Sequence, residues 1–301
     1  MKISFIVCTY SMKSFSDTLK CIYSLVNQDY LYKEIVIVMD KNDELYKKFL
    51  ISVPKSVNII VNTRSGLSEA RNLGIKNVNG DIIVFIDDDA VADKDYILNL
   101  IKNYEDGSIV GVGGGILPEK KPNYPEELYW IGGFTYKGYP EYRCEVRNML
   151  GCNMSFRKEI FDKVGLFDNN LGRIGKRLIT AEETEFSIRV LNSIPGSKII
   201  YDPSIVVYHK VHEYRQTFKY LMSRSYHEGM SKAYISALNN NNNNTLSTES
   251  NYLKYLVVCA IPIRLMNILS RKDILRNTKD IVTILTSIVC VGFGYMVGKV
   301  R

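Results

Sequence analysis

Asp87, Asp88 and Asp89 stand in a row directly after the apolar run Ile82–Ile86. Three carboxylates at the mouth of a buried strand repel one another, and a bare cluster of this kind raises its own pKa values. A divalent cation resolves the conflict. Mg2+ or Mn2+ takes oxygen ligands, keeps open positions and bridges to the phosphates of a substrate. Side chains alternate along an extended chain, so Asp87 and Asp89 are expected to point one way and Asp88 the other. The plainer reading is a polar turn in which Asp89 or Asp93 caps the next helix.

Two further groups carry chemistry. Gly66-Leu67-Ser68-Glu69-Ala70-Arg71-Asn72 opens a helix one element before the aspartates. Free N–H groups at a helix start attract anions, and Arg71 can fork onto a phosphate or stack on a base; an arginine on an amphipathic helix can equally be solvated. Glu182, Glu183 and Glu185 crowd the first turn of a helix beginning at Ala181. Carboxylates there suit the helix dipole, so capping explains them as well as catalysis does. In the catalytic reading one of them takes the proton from an attacking hydroxyl. His209 and His212 follow a short strand in Val-Val-Tyr-His-Lys-Val-His, and His227 falls on a later helix. His209 can meet a metal or a diphosphate, or serve packing alone.

These groups must be positioned by the elements between them. Ile3–Cys8, Glu34–Met39, Val57–Asn62 and Ile82–Ile86 read as buried strands. Helical spacing at Leu19, Ile22, Tyr23 and Val26 after Ser16-Asp17, then helices over Asn42–Leu50 and Leu67–Asn77, separate them. Such alternation predicts an α/β fold with a mostly parallel sheet flanked by helices, whose ligands bind at the carboxyl ends of the strands. From Gly111 the pattern loosens. Gly113-Gly114-Gly115, Gly132-Gly133 and several prolines predict loops, with Tyr124, Tyr129, Trp130, Phe134, Tyr136 and Tyr139 among them. Order returns at Met149–Phe156, then helices at Lys158–Val164 and Ala181–Asn192, then two short strands at Lys198–Tyr201 and Val206–Tyr208.

Asn239–Asn244 predicts a polar linker. Ile281–Gly298 carries no charge and predicts a membrane-spanning helix near the lower length limit, with a buried core helix as the alternative. Tyr252–Leu269 is broken by Lys254, Pro262 and Arg264 and reads as interfacial or core. The expected organisation is a catalytic domain over 1–235, a linker over 236–250 and a membrane-associated segment over 251–301 with its candidate span at 281–298.

Composition narrows the function classes. With 46% hydrophobic and 24% charged residues in 301, the chain can build a sizeable core. The net charge of +7 comes from dispersed Lys and Arg, which argues against nucleic acid and for anionic lipids or phosphate-bearing substrates. The cysteines Cys8, Cys21, Cys144, Cys152, Cys259 and Cys290 form no CxxC pair and no zinc spacing, and read as buried apolar residues in a reducing compartment. No signal peptide precedes the first strand. Cys8-Thr9-Tyr10-Ser11-Met12 is nothing like the glycine turn of a dinucleotide-binding oxidoreductase.

Taken in order, these residues resemble glycosyltransferase family 2, inverting enzymes with the nucleotide-diphosphosugar transferase (GT-A) fold. Ser4-Phe5-Ile6-Val7-Cys8-Thr9-Tyr10 is similar to the opening strand and nucleotide-facing turn, with Ser11 where asparagine is common. Asp40 ends a run similar to the second strand, whose terminal aspartate faces the nucleobase. Gly66–Gly74 followed by Asn79-Gly80-Asp81 and Ile82–Asp89 is the most specific stretch. Gly151-Cys152-Asn153-Met154-Ser155-Phe156-Arg157 and Gly165-Leu166-Phe167-Asp168 resemble the acceptor-side strand and the turn after it. Ala181-Glu182-Glu183-Thr184-Glu185 matches the Glu-Asp-x-Asp element, with Ala for the usual glycine and Glu for both aspartates.

The resemblance implies residue roles. Thr9, Tyr10, Asp40, Gly66, Arg71, Asp87 and Asp88 would bind the nucleotide sugar, and Asp89, Asp87 and His209 would hold Mg2+ or Mn2+. Glu183 would be the catalytic base by position, with Glu182 second, and Gly151, Cys152, Asn153 and Glu185 would face the acceptor. Arg224 is followed by Ser225, so the Gln-x-x-Arg-Trp signature of processive synthases is absent and a single sugar addition is implied. Glu-Glu-Thr-Glu, His-Lys-Val-His and the apolar tail are similar to archaeal members that extend dolichyl-phosphate-linked glycans, some of them glucuronosyltransferases. That narrower likeness implies a UDP-sugar donor such as UDP-glucuronate and a lipid-linked saccharide acceptor. It also implies a catalytic domain on the cytoplasmic side of the cell membrane. Arg271, Lys272, Arg276 and Lys279 before Ile281, against Lys299 and Arg301 after it, agree with that orientation. A surface-polysaccharide transferase with another donor, or a silent membrane-anchored sugar-nucleotide binding protein, fits the same residues.

Overall fold

The computed structural model describes residues 1–173, 180–238 and 246–300. The predicted linker Asn239–Asn244 lies outside the described residues. The chain divides into two compact units. One takes Met1–Glu119, the stretch from Pro140, and Glu182–Lys210; the other takes Lys120–Tyr139 and the chain from Val211 onward.

The first unit is a nine-stranded sheet flanked by helices. Its strands are β1 (Ile3–Thr9), β2 (Lys33–Asp40), β3 (Val57–Asn62), β4 (Ile82–Asp87), β5 (Ala90–Ala92), β6 (Ile109–Pro118), β7 (Cys144–Glu145), β8 (Asn153–Arg157) and β9 (Lys198–His209). Its helices are α1 (Phe15–Val26), α2 (Asp43–Ser52), α3 (Leu67–Lys76), α4 (Tyr96–Asn103), α5 (Lys158–Val164) and α6 (Glu182–Ser193). The first four strands fall within one residue of the apolar runs that predict them. They pair in parallel in the order β3-β2-β1-β4, and the sheet continues through β8, β6, β9 and β5, with β7 beside β9. Parallel strands need cover on both faces, and along β2 Val36 and Val38 on one face and Ile37 and Met39 on the other are correspondingly buried. Asn42 caps α2 by accepting the Leu45 N–H at 3.0 Å.

The switch in direction decides where the site forms. β8 runs antiparallel to both β4 and β6, with Ile86 opposite Asn153. β6 and β9 run parallel to each other, and therefore point the same way as β4. The carboxyl ends of β1, β2, β4 and β9 and the start of β8 thus share one edge.

Two sequence expectations are corrected here. Gly113-Gly114-Gly115 is no loop but the centre of β6. Glycine is required because neighbours press on the backbone. A methyl on Gly113 would meet Met149 Cγ at 2.7 Å, and one on Gly114 would collide with the Ile205 carbonyl and the Asn153 amide. The two short strands near residues 200 and 207 are likewise one strand, β9, whose register slips between Gly114 and Gly115. The slip leaves Pro203, Ser204 and Ile205 out of the ladder, and Asn153 Nδ2 donates to the freed Ile205 carbonyl at 2.8 Å and to Gly115 O at 3.1 Å. Gly114→Ala is expected to destabilise the protein by about 1–3 kcal/mol through overpacking, read as a fall in melting temperature by circular dichroism. Ala substituted at the open position Gly107, with nothing within 4 Å, is the control.

The second unit begins with a 3-10 turn over Glu126–Gly132 and holds α7 (Phe218–Leu238), α8 (Ser247–Tyr255), α9 (Ile261–Leu269) and α10 (Ile274–Val300). The aromatic-rich stretch packs on itself, Tyr129 lying 5.6 Å from Tyr124 and 6.0 Å from Phe134 between ring centroids. A π-helical turn at Leu256–Ala260 joins α8 to α9 just before Pro262. Proline has no N–H to continue the ladder, and the wider turn accommodates it. Among the described residues two helices are long and apolar enough to cross a membrane, Ser247–Leu269 and Ile274–Val300.

Candidate active site

Arg71 organises one flank. It sits on α3 at 3% exposure, its guanidinium over the Phe85 and Phe167 rings at 5.8 and 5.9 Å. Nη1 donates to Glu182 Oε1 at 2.6 Å and Nη2 to Gly151 O at 3.1 Å, with Asp87 Oδ1 3.6 Å away. Burial opposes its charge, but Glu182 and then Asp87 outweigh that and hold its pKa above the usual value. Arg71 thus ties α3, β4, α6 and the turn before β8 together. It spends its donors inside the protein, whereas the sequence left it open to phosphate, base or solvent.

Glu182 and Glu183 differ in surroundings. Glu182 is buried against Arg71, and its Oε2 has no hydrogen-bond partner among the described residues. Glu183 is half-buried and receives the Thr184 hydroxyl at 3.3 Å. A Cβ on Gly151 would lie 3.8 Å from Glu183 Oε2 and 3.4 Å from Arg71 Nη2, so glycine there keeps space open beside both groups. Glu185, one helical face away, is clamped by Arg189 at 2.7 and 2.8 Å. Ala181, just before α6, holds φ 82 although it carries a Cβ. This is the position where the resembling family has glycine, the residue at ease in left-handed backbone.

On the other flank His209, at the end of β9, lies opposite Ala90. Its Nε2 is 2.9 Å from Asp89 Oδ1. Ligand atoms of Asp87, Cys152 and His209 all lie within 4.8 Å of one another. Cys152 gets there because antiparallel β8 begins beside the end of β4. Asp88 turns the other way, toward the hydroxyls of the β1–α1 corner, with Thr18 Oγ1 at 3.5 Å. Burial first, then the charge of Asp89, pushes the Asp88 carboxyl up to about 7 against hydrogen bonds from Thr9 and Ser14. Carboxylates gathered at one strand end, with an imidazole among the donors, suit a divalent cation.

The remaining sequence-derived residues are distributed as follows. Thr9 is buried and shares hydrogen bonds with Ser14 and Thr18 at 2.9 and 3.3 Å. Tyr10 is 71% exposed beyond it. Asp40 ends β2 and accepts from Asn62 Nδ2 at 3.1 Å. Gly66, at φ 145, caps α3. Asn153 is committed to the β9 bulge and to the Tyr96 hydroxyl at 2.7 Å. Sequence reasoning missed Ser14, Thr18 and Asn62. The available signal was Ser14 and Thr18 one helical turn apart at the start of α1, on the side that buries Thr18.

A family model described as glycosyl transferase family 2 matches residues 4–165. A glucosyl-dolichyl phosphate glucuronosyltransferase of Haloferax volcanii is 34% identical over 99% of this chain and 96% of its own length. The chain belongs to glycosyltransferase family 2. A Methanococcus voltae 2,3-diacetamido-2,3-dideoxy-glucuronosyltransferase, named for a dolichyl N-acetylglucosaminyl phosphate acceptor, is 26% identical over 68% of this chain and 65% of its own. Among solved structures, a mannosyltransferase from Pyrobaculum calidifontis in complex with GDP-Man and Mn2+ aligns with TM-score 0.61 at 18% identity, covering 96% of this chain and 86% of that one. Staphylococcus aureus TarS with UDP-GlcNAc aligns with TM-score 0.58 at 16% identity, over 97% and 82%. At those identities the likeness speaks for the fold. This glycosyltransferase therefore has the GT-A fold that the sequence implied.

Proposed function

We propose that this glycosyltransferase adds one sugar, with inversion, from a UDP-linked donor to a hydroxyl of a saccharide carried on a polyprenyl or dolichyl phosphate. The observation that carries the reading is the pairing, at one sheet edge, of the Asp89–His209 flank with the Arg71–Glu182–Glu183 flank on either side of Asp87. The nearly full-length relative named for transfer of glucuronate to glucosyl-dolichyl phosphate supports the acceptor class and glucuronate as the sugar transferred.

Asp40 and Asn62 receive the base, Thr9, Tyr10 and Gly66 line the nucleotide's path, and Asp88 faces the ribose or sugar. Asp89 and His209, with Asp87, would hold Mg2+ or Mn2+. Bound there, the cation would supply positive charge to stabilise the departing diphosphate. Glu183 takes the acceptor proton as its oxygen attacks the anomeric carbon from the face opposite the diphosphate. Arg71 and Glu182 are positioning residues. Gly151 leaves room for the acceptor next to Glu183, Cys152 and Asn153 shape the wall behind it, and Glu185 braces α6 through Arg189. The catalytic unit works on the cytoplasmic side of the cell membrane.

The test is transfer from radiolabelled UDP-glucuronate, UDP-glucose, UDP-GlcNAc and GDP-mannose to a glucosyl-polyprenyl phosphate in detergent. Transfer from UDP-glucuronate, lost in EDTA and restored by Mn2+ or Mg2+, is expected. Turnover of GDP-mannose alone would overturn the donor, and transfer undiminished by EDTA would overturn the role of the cation.

A further inference from the structure

Length and composition qualify both C-terminal helices as spans, yet their packing within the second unit argues otherwise. α10 runs alongside α7 with backbones in contact. A methyl on Gly229 would collide with the Val291 carbonyl, and one on Gly294 with the Tyr226 carbonyl. Ser225 and Ser287 share a 2.8 Å hydrogen bond, and Gly298 packs on Ala233. The paired positions rise together along both helices, so they are parallel. Any depth α10 reached in a bilayer, α7 would reach too. α7 carries Arg224, Glu228 and Lys232, joined at 3.0 and 3.2 Å, and charged side chains at the centre of a membrane are strongly unfavourable.

The helix from Ser247 to Leu269 is similarly tied down at both ends of its length. The Tyr252 ring lies 4.8 Å from Tyr136, and its hydroxyl donates to Glu127 O. Three turns later Arg264 grips the Glu127 carboxylate at 2.6 and 2.9 Å and lies 3.5 Å from Asp280. One stretch of chain, a short 3-10 turn to Gly132 and irregular backbone from there to Gly138, thus meets the helix at Tyr252 and, through Glu127, at Arg264. Irregular backbone of that kind is not exposed to lipid at hydrocarbon depth.

What the helices leave open is a surface. Val282, Leu285, Val289, Phe293 and Met296 recur on one side of α10, each 46–67% exposed. Beside the α9–α10 turn lies a cavity of about 760 Å3. Its acids Glu127 and Asp280 bond Arg264, and Glu126 bonds Lys121 at 2.9 Å. Lys137, Arg276 and Lys279 make no ion pair among the described residues, against Asp273 as the one remaining acid of the lining.

We propose that the C-terminal helices lie in the membrane interface without crossing it. The apolar stripe of α10 enters the acyl boundary, and Lys137, Arg276 and Lys279 seat the phosphates of anionic phospholipids. Helices of this kind bury one face about 5–10 Å deep, and each cation near an anionic surface adds to the attraction. The proposal deepens the lipid-linked reading of function, but its measurements use no sugar donor, so either can fail alone.

In cells expressing the full chain, Ser270→Cys and a cysteine appended after Arg301 are probed with a membrane-impermeant maleimide, the native thiols providing the background. No added labelling in intact spheroplasts and full labelling after lysis are expected for both. Labelling of the appended cysteine in intact spheroplasts would mean that α10 crosses, and labelling at Ser270→Cys that both helices do; either overturns the proposal. In sedimentation, the purified chain is expected to bind phosphatidylglycerol vesicles, with inorganic phosphate failing to displace it. Lys137→Gln/Arg276→Gln/Lys279→Gln is expected to weaken binding at least about tenfold while keeping donor turnover in detergent. Equal binding to phosphatidylcholine vesicles, no binding to either, or an unaffected triple variant would overturn the headgroup site.

Discussion

Asp89→Ala is expected to abolish detectable sugar transfer, lowering kcat by about a thousandfold or more while the protein stays folded. Asp89 is 10% exposed at the sheet edge and makes its close contact to His209, outside the apolar core. A cation polarising the diphosphate is worth several kcal/mol in the transition state, and each 1.36 kcal/mol is about tenfold in rate. Loss of the hydrogen bond to His209 costs about 1–3 kcal/mol of stability at most, which a chain of this size tolerates. Two measurements separate chemistry from folding: kcat with UDP-glucuronate, and free Mn2+ followed by electron paramagnetic resonance during titration of the protein. Weaker Mn2+ binding with an intact melting transition supports the assignment, whereas wild-type turnover in Asp89→Ala would remove Asp89 from the site.

The second large effect separates two adjacent carboxylates. Glu183→Gln is expected to lower kcat by about 10²–10⁴, the range of a positioned general base, with melting temperature unchanged. Glu182→Gln is expected to act mainly on stability. It replaces the ionised partner of a guanidinium at 3% exposure by a neutral amide, and charge-assisted bonds are about twice as strong as neutral ones. The accessibility of the two carboxylates motivates the split: Glu183 faces the space kept open by Gly151, whereas Glu182 is buried. Steady-state kinetics together with thermal melts of both variants decide the matter. If Glu182→Gln kept its melting temperature and lost turnover while Glu183→Gln did not, the roles would be exchanged.

The acidic flank was legible because local pattern controls it. A buried parallel strand needs an unbroken apolar run, so Ile82–Ile86 marked both β4 and the place where its carboxylates emerge. Parallel pairing then brought the ends of β1, β2 and β4 together. Contacts far apart in sequence were less visible. The glycines of β6 resemble a loop in one dimension because the reason for them, crowding by Met149, Ile205 and Asn153, comes from segments 36 to 91 residues away. Arg71 showed its charge but not its partners, since Glu182 lies 111 residues downstream. Thr18 was hidden because a small hydroxyl on an amphipathic helix looks like any surface residue until the burial of its face is known.

The left-handed Ala181 bears on how the enzyme fails when heated. An alanine at φ 82 sits about 1–2 kcal/mol above its relaxed backbone state, a sizeable part of the 5–15 kcal/mol that typically holds a domain together. That strain is released when the first turn of α6 loosens, and the first turn of α6 is where Glu182 and Glu183 reside. Loosening there is expected to disorder Glu183, the base of the proposed reaction, before the sheet melts. Thermal inactivation, read as residual sugar transfer, is accordingly expected to set in below the unfolding transition read by circular dichroism.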